Sequence, residues 1–330
     1  MPALWMHIEY GQQLAAEFRE LLPFLSDLHL QRELYQLGCQ GPDFLLFHGF
    51  LSWRKSSSMT LLGNLMHSQS CGPTLIEFWK RSLRYSEPER TLAQLYFLGF
   101  LTHHLLDRNF HPYINWKAGY ERLNHQRFEI ALDAYFLYRY KRVDVSREQG
   151  WKQIKLANGI PRPILQILQD TTLSLYPEVS RLSFQGWQQS YKDMVLAHRL
   201  LYDPSGWKRS LVPQALGQLL YPAASLLSTQ NIPDYLNEQR KEWRHSALYS
   251  EVRRESVWEL WEQALEDGRQ VLHALAEWLH SSQEDPATLA VKLEDFQQVL
   301  GNRSYDTGKE CSSHLVNLYA EPIWSRQRTS

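Results

Sequence analysis

The chain has 330 residues, 43% hydrophobic and 22% charged, which excludes an intrinsically disordered protein and suffices for one large core or two domains. Its 35 basic and 36 acidic side chains give a formal net charge of −1, so nothing draws it generally to nucleic acid, which is not an expected partner, or to anionic lipid. No stretch approaches the ~20 apolar residues of a transmembrane segment. The apolar N-terminus has no basic leader and is too short for a secretory signal, which predicts a cytoplasmic chain.

Residues 5–21 carry Ile8, Leu14, Phe18 and Leu21 at helical spacing until Pro23 interrupts. The turn Gly38-Cys39-Gln40-Gly41-Pro42-Asp43 precedes another apolar segment. Ser86, Glu87 and Pro88 signal a helix start, and the pattern runs through Leu92, Leu95, Tyr96, Gly99 and His103 to about Arg108. Asn109 to Tyr113, which contains Pro112, is expected as a turn before a helix over 121–143 with Phe128, Leu132, Tyr135 and Phe136 on its apolar stripe. Segments 162–182, 185–202, 210–229, 233–248 and 252–282 read as helices, and the chain from Leu300 reads as a loop. Alternating strand patterns are largely absent, so the expected fold is all-α, a multi-helix bundle with additional C-terminal helices. A faint boundary divides residues 1–200 from a helical extension over 201–330.

Cys39, Cys71 and Cys311 are odd in number and widely spaced, the pattern of reduced buried thiols rather than of a disulfide framework or a Cys-rich zinc site. The histidines crowd into the first 130 residues. His103 and Asp107 are four residues apart on one helix face, with Cβ atoms about 6 Å from each other, as two ligands converging on one ion require. His125 and Glu129 repeat that geometry, with Asp133 one turn further on the same stripe. Each pair alone is compatible with a surface hydrogen bond; two pairs flanking His111 point to metal. Asp43, His67 and His7 have plain alternatives, as a helix cap, a satisfied core histidine and a terminal surface residue. Imidazole and carboxylate donors without thiolate favour zinc over calcium, and more than six candidate ligands imply several ions.

These residues fall in an ordered set of motifs that resembles the zinc-dependent phospholipase C family over about residues 1–145. The set comprises Met1-Pro2-Ala3-Leu4-Trp5-Met6-His7, the Gly38 to Asp43 turn, Gly63-Asn64-Leu65-Met66-His67, Gly99 to Asp107, His111-Pro112-Tyr113-Ile114 and His125-Gln126-Arg127-Phe128-Glu129. The resemblance implies an all-helical fold with three clustered zinc ions that cleaves phosphodiesters of phospholipid head groups, and two or three zinc ions are expected in this chain. Its distant relatives include zinc-dependent single-strand nucleases. Carried over by motif, His67, His103 and Asp107 hold one zinc, His111, His125 and Glu129 a second, and His7 a third bridged by Asp107. Asp43 matches the acid that serves as general base or as a further ligand and water orienter. Asp133 is expected to fix an imidazole tautomer from outside the ligand set. The chain departs from the secreted family enzymes in having Trp5 internal and only three residues between Asp107 and His111. The partner expected is phospholipid or another phosphodiester, with transient contact at the membrane surface. A nuclease using the same cluster and a metal-stabilised, non-catalytic interaction protein are the rival readings. Trp5, Phe44, Phe47, Trp53, Tyr113 and Trp116 are candidates for the site's mouth, though each is more often core.

Overall fold

The structure is a computed structural model and describes residues 4–51, 58–121, 123–179, 182–213, 217–227, 233–281 and 285–324. In chain order the helices are α1 (Leu4–Glu17), α2 (Arg32–Gly38), α3 (Ser58–Ser68), α4 (Cys71–Ser82), α5 (Glu89–Ala118), α6 (Asn124–Lys141) and α7 (Gly150–Gln153). They continue as α8 (Arg162–Leu175), α9 (Phe184–Leu201), α10 (Trp207–Leu211), α11 (Val257–His280) and α12 (Pro286–Leu300). Among the described residues the fold is all-α apart from one antiparallel hairpin, β1 (Trp243–His245) and β2 (Leu248–Arg253), and no helix is long and apolar enough to cross a membrane.

The axis is α5, buried almost continuously from Ala93 to Ala118 and packed against α1, α2, α4, α6, α11 and β1. One hydrophobic cluster runs from Leu4 on α1 to Tyr305 beyond α12. The crossing of α2 and α5 depends on two glycines: a Cβ on Gly38 would lie 2.2 Å from the Tyr96 carbonyl oxygen, and one on Gly99 would lie 2.4 Å from that of Tyr35. Only backbones without side chains approach so closely, and this seats the end of α2 against the middle of α5.

The expected turn at 109–113 does not exist, because α5 continues through Pro112. Proline removes the hydrogen bond to the carbonyl four residues earlier, that of Arg108. Gly308 packs over that carbonyl, where a Cβ would come within 2.1 Å of the oxygen. Burial on every side holds the helix together where the isolated sequence would break. The 210–229 segment is also not one helix: α10 ends at Leu211, Pro213 follows, and a short 3-10 turn at Ala224–Leu226 comes after Pro222. The 233–248 segment is turn and strand instead. Asp234 accepts from the amides of Glu238 and Gln239, and Asn237 donates to the carbonyls of Lys241, Arg254 and Glu255, so side chains take the backbone partners a helix would use. Trp243 and His245 then face inward at strand spacing. Helix α12, unanticipated from the sequence, is announced by Asp285, whose carboxylate caps Ala287 and Thr288 before Pro286 in the first turn. Helix α11 begins at a capping box of Ser256 and Glu259.

Candidate metal centre

Because α5 is unbroken, His103, Asp107, His111 and Asn115 lie at four-residue intervals along one stripe. Helix α6 brings His125 and Glu129 alongside, α1 supplies His7, α3 ends with His67, and the 3-10 turn Gly41–Phe47 supplies Asp43. Gly41 begins that turn at φ +50 with His103 directly against it, where a Cβ would lie 2.1 Å from the ring. A side chain there would displace the imidazole, which is why the turn needs glycine.

The candidate ligand atoms form three groups: His7, His103 and Asp107; Asp43, His67 and His103; and His111, His125 and Glu129. His103 Nε2 is 2.9 Å from Asp107 Oδ2 and 3.5 Å from Asp43 Oδ2, and His7 Nε2 is 3.3 Å from Asp107 Oδ1. His67 Nε2 is 2.9 Å from Asp43 Oδ1. Glu129 Oε1 is 3.0 Å from His125 Nε2 and 3.3 Å from His111 Nε2. All these residues are buried except His125, which is half-buried. All eight expected site residues therefore meet in one place. The grouping adds Asp43 to the His67–His103 pair, while Asp107 stands with His7 and His103.

Four of the five imidazoles are held from behind. Nδ1 of His103 donates to the Cys39 carbonyl (3.1 Å), that of His67 to Gly63 (2.6 Å), that of His111 to Tyr305 (3.0 Å) and that of His125 to Asn115 Oδ1 (3.1 Å). A carbonyl oxygen only accepts, so each Nδ1 carries a proton, and Nε2, the nitrogen left for a metal, points at a carboxylate. That is the tautomer a metal ligand requires. Lone pair against carboxylate is repulsive unless a proton or a cation lies between. His103 Nε2 and Asp107 Oδ2 make no hydrogen bond in spite of their proximity, and His7 Nδ1 and Glu129 Oε2 are likewise buried without partners. The His7 and His103 rings stack 4.2 Å apart at 28°, an arrangement that two imidazolium ions would oppose. Orphaned ligand atoms, three buried carboxylates and outer-shell carbonyls together fit divalent metal.

Without metal the same contacts distort titration. Burial lowers the pKa of His67 and of His111, but Asp43 raises the first to about 9, and Asp107 with Glu129 raises the second to about 10. Burial pushes the carboxyls of Asp107 and Glu129 upward, and the facing imidazoles overcome it and hold both well below the usual carboxylate range.

Asp133 does not touch an imidazole. Its carboxylate accepts from the amides of Trp5 and Met6 (2.8 Å each) and from Tyr221 Oη (2.9 Å), tying down the start of α1 and so placing His7. The Trp5 nitrogen is thereby committed to Asp133. His104 turns away from the cluster, bonds the Arg303 carbonyl at 2.8 Å and packs on Tyr305. Phe44, Phe47, Tyr113 and Trp116 are core, Trp5 is half-buried, and Trp53 lies outside the described residues.

The chain after α12 is the loop expected from Leu300 onward, but its contacts with the site were not anticipated. Ser304 Oγ and the Tyr305 amide both donate to the His67 carbonyl, and the Tyr305 carbonyl orients His111. Nothing in the composition of 301–311 signals this, since the contacts are made largely by backbone. Asn115 had a signal: it is the next member of the four-residue series on α5.

Residues 6–164 match the family model described as zinc dependent phospholipase C, the family that the sequence motifs resemble. No curated protein and no solved structure matches the chain.

Proposed function

We propose that the chain is a zinc-dependent hydrolase of phosphodiester bonds that cleaves phospholipid head groups in the manner of phospholipase C. The observation that carries this reading is the joining of the ligand groups: His103 belongs to two of them, and Asp107 lies between His7 and His103 with His111 Nδ1 3.8 Å away. Two or three zinc ions held on His7, His67, His103, Asp107, His111, His125 and Glu129 would polarise the phosphoryl oxygens and acidify a water at the phosphorus. Asp43, with one oxygen toward His67 and the other toward His103, orients that water and accepts its proton. The Cys39, Gly63, Tyr305 and Asn115 acceptors keep the imidazoles aimed through the reaction, so little reorganisation accompanies the build-up of charge. Substrate reaches the cluster from the side of His125, its most exposed member.

The test begins with zinc per chain in protein purified without added metal or chelator, where two or three are expected. Hydrolysis of phosphatidylcholine, a chromogenic phosphodiester and single-stranded DNA is then measured side by side. Cleavage of the first two, abolished by chelator and restored by zinc, supports the proposal. A zinc content near zero that added zinc does not restore overturns it. A second reading draws on the depth of the cluster beneath the 301–311 loop: metal that stabilises a non-catalytic interaction protein. That reading prevails if metal removal lowers the melting temperature while no phosphoester is cleaved at any pH.

A further inference from the structure

Cys71 and Cys311 are 240 residues apart in sequence, yet their Sγ atoms lie 3.6 Å from each other. Cys71 is the buried first residue of α4, and Cys311 opens a half-exposed 3-10 turn. The pair sits at the neck of a closed loop. The Cys311 amide donates to the Asn302 carbonyl (2.8 Å), the Ser304 amide to Lys309 (2.8 Å) and the Gly308 amide to Ser304 (2.9 Å). Asn302 Oδ1 accepts from the Gly72 amide, so the neck is already docked on the start of α4. From this neck both strands of chain lead to metal ligands. Four residues before Cys71 stands His67, whose carbonyl receives the Tyr305 amide at 2.9 Å. Six residues before Cys311 stands Tyr305, whose carbonyl orients His111.

We propose that Cys71 and Cys311 are an oxidation site at which a small organic disulfide, such as glutathione disulfide, yields a protein disulfide that fastens the 301–311 loop over the metal centre. The Cys311 thiolate attacks one sulfur of the small disulfide, forming a mixed disulfide and expelling one small thiolate. Cys71 then attacks the Cys311 sulfur and expels the second small thiolate, which takes up the Cys71 proton. Two protein thiols are oxidised, one small disulfide is reduced to two small thiols, and atoms and electrons balance. Exposure makes Cys311 the entry point. Contact with Cys71 also pulls its thiol below the ordinary range, while burial holds Cys71 well above. Bond formation needs the sulfurs to approach by about 1.5 Å, a movement of the loop neck rather than of a helix. Cys39 takes no part: it is fully buried and its thiol is pushed up to about 12.

The full chain, with its zinc content measured first, is incubated with glutathione disulfide, alkylated and mapped by mass spectrometry without reduction. The expected result is one cross-linked peptide pair joining Cys71 to Cys311, lighter by two hydrogens, and its absence in Cys311→Ser. Three alkylatable thiols after oxidation, or a Cys311 that stops at the mixed disulfide, overturns the site. In the oxidised chain, zinc release to a chelator should slow on the order of tenfold, because the carbonyl behind His111 is no longer free to swing away. Equal release rates before and after proven bond formation overturn the fastening. This second readout rests on the zinc reading, whereas the peptide map does not; a chain without zinc therefore refutes the proposed function and leaves the thiol pair to be judged by its map.

Discussion

Replacing Asp107 with asparagine keeps the shape of the side chain and removes one buried negative charge. The carboxylate faces His103 at 2.9 Å, His7 at 3.3 Å and His111 at 3.8 Å, with only 3% of the residue exposed. Breaking a buried charge pair from one side costs about 3–5 kcal/mol. At about 1.4 kcal/mol per tenfold, that weakens binding of an ion dependent on Asp107 by a hundredfold to a few thousandfold. The group of His111, His125 and Glu129 does not include Asp107 and should keep its ion. The expected outcome is thus selective: Asp107→Asn loses at least one zinc per chain, retains another, and loses hydrolysis. The assay is competition with a chromogenic chelator at fixed pH, combined with elemental analysis. The metal-free variant should also be less stable at neutral pH, because Asp107 is the counter-charge for the imidazoles; affinity, not melting temperature, is therefore the decisive quantity. A variant with its full zinc complement and unchanged affinity would refute the reasoning, and with it the place of Asp107 among the ligands.

The metal-free chain should lose stability as pH rises. His67 and His111 have folded pKa values of about 9 and about 10 against an ordinary 6.5, so their contribution is complete below 6.5 and fades as pH climbs through the folded values. Zinc displaces those protons, so zinc affinity should increase over the same window and loading near neutral pH should release protons to the buffer. Melting curves with and without zinc, together with calorimetry in buffers of different ionisation enthalpy, check both signs; a metal-free melting temperature that rises across the window contradicts them. Gly308→Ala should destabilise the chain by about 1–3 kcal/mol, since alanine tolerates the left-handed backbone poorly. Its Cβ would also meet the Arg108 carbonyl oxygen at 2.1 Å, with φ at +64. Lifting the loop should weaken zinc binding too, and a variant with unaltered melting and affinity would show that the loop does not depend on that contact.

Much of the fold was legible because helices announce themselves by the spacing of apolar residues, and α1, α5, α6, α8, α9 and α11 all have it. The four-residue interval between His103 and Asp107, and again between His125 and Glu129, places candidate ligands without reference to anything distant. What escaped was structure decided by tertiary burial. Pro112 reads as a stop in isolation, but a proline enclosed by packed neighbours costs one hydrogen bond and not the helix. Trp243 and His245 are too few to declare a strand, and they become one by facing the buried flank of α5. The Tyr305 carbonyl is invisible in principle, because a backbone oxygen has no residue type.

An unbroken α5 also serves as a ruler. Along an α-helix each residue adds about 1.5 Å of rise and a hundred-degree turn. Inserting or deleting a single residue between His103 and His111 would rotate everything beyond it by that angle, carrying His111 and Asn115 away from Glu129 and His125. Substitutions can be absorbed locally here, but changes of length cannot. The nine-residue window from 103 to 111 should therefore be the stretch where single-residue insertions are least tolerated, with permissive positions on the exposed surface between secondary-structure elements. A scan of such insertions, scored by retained zinc, would make the helical pitch visible as a periodic gap in what the chain will accept.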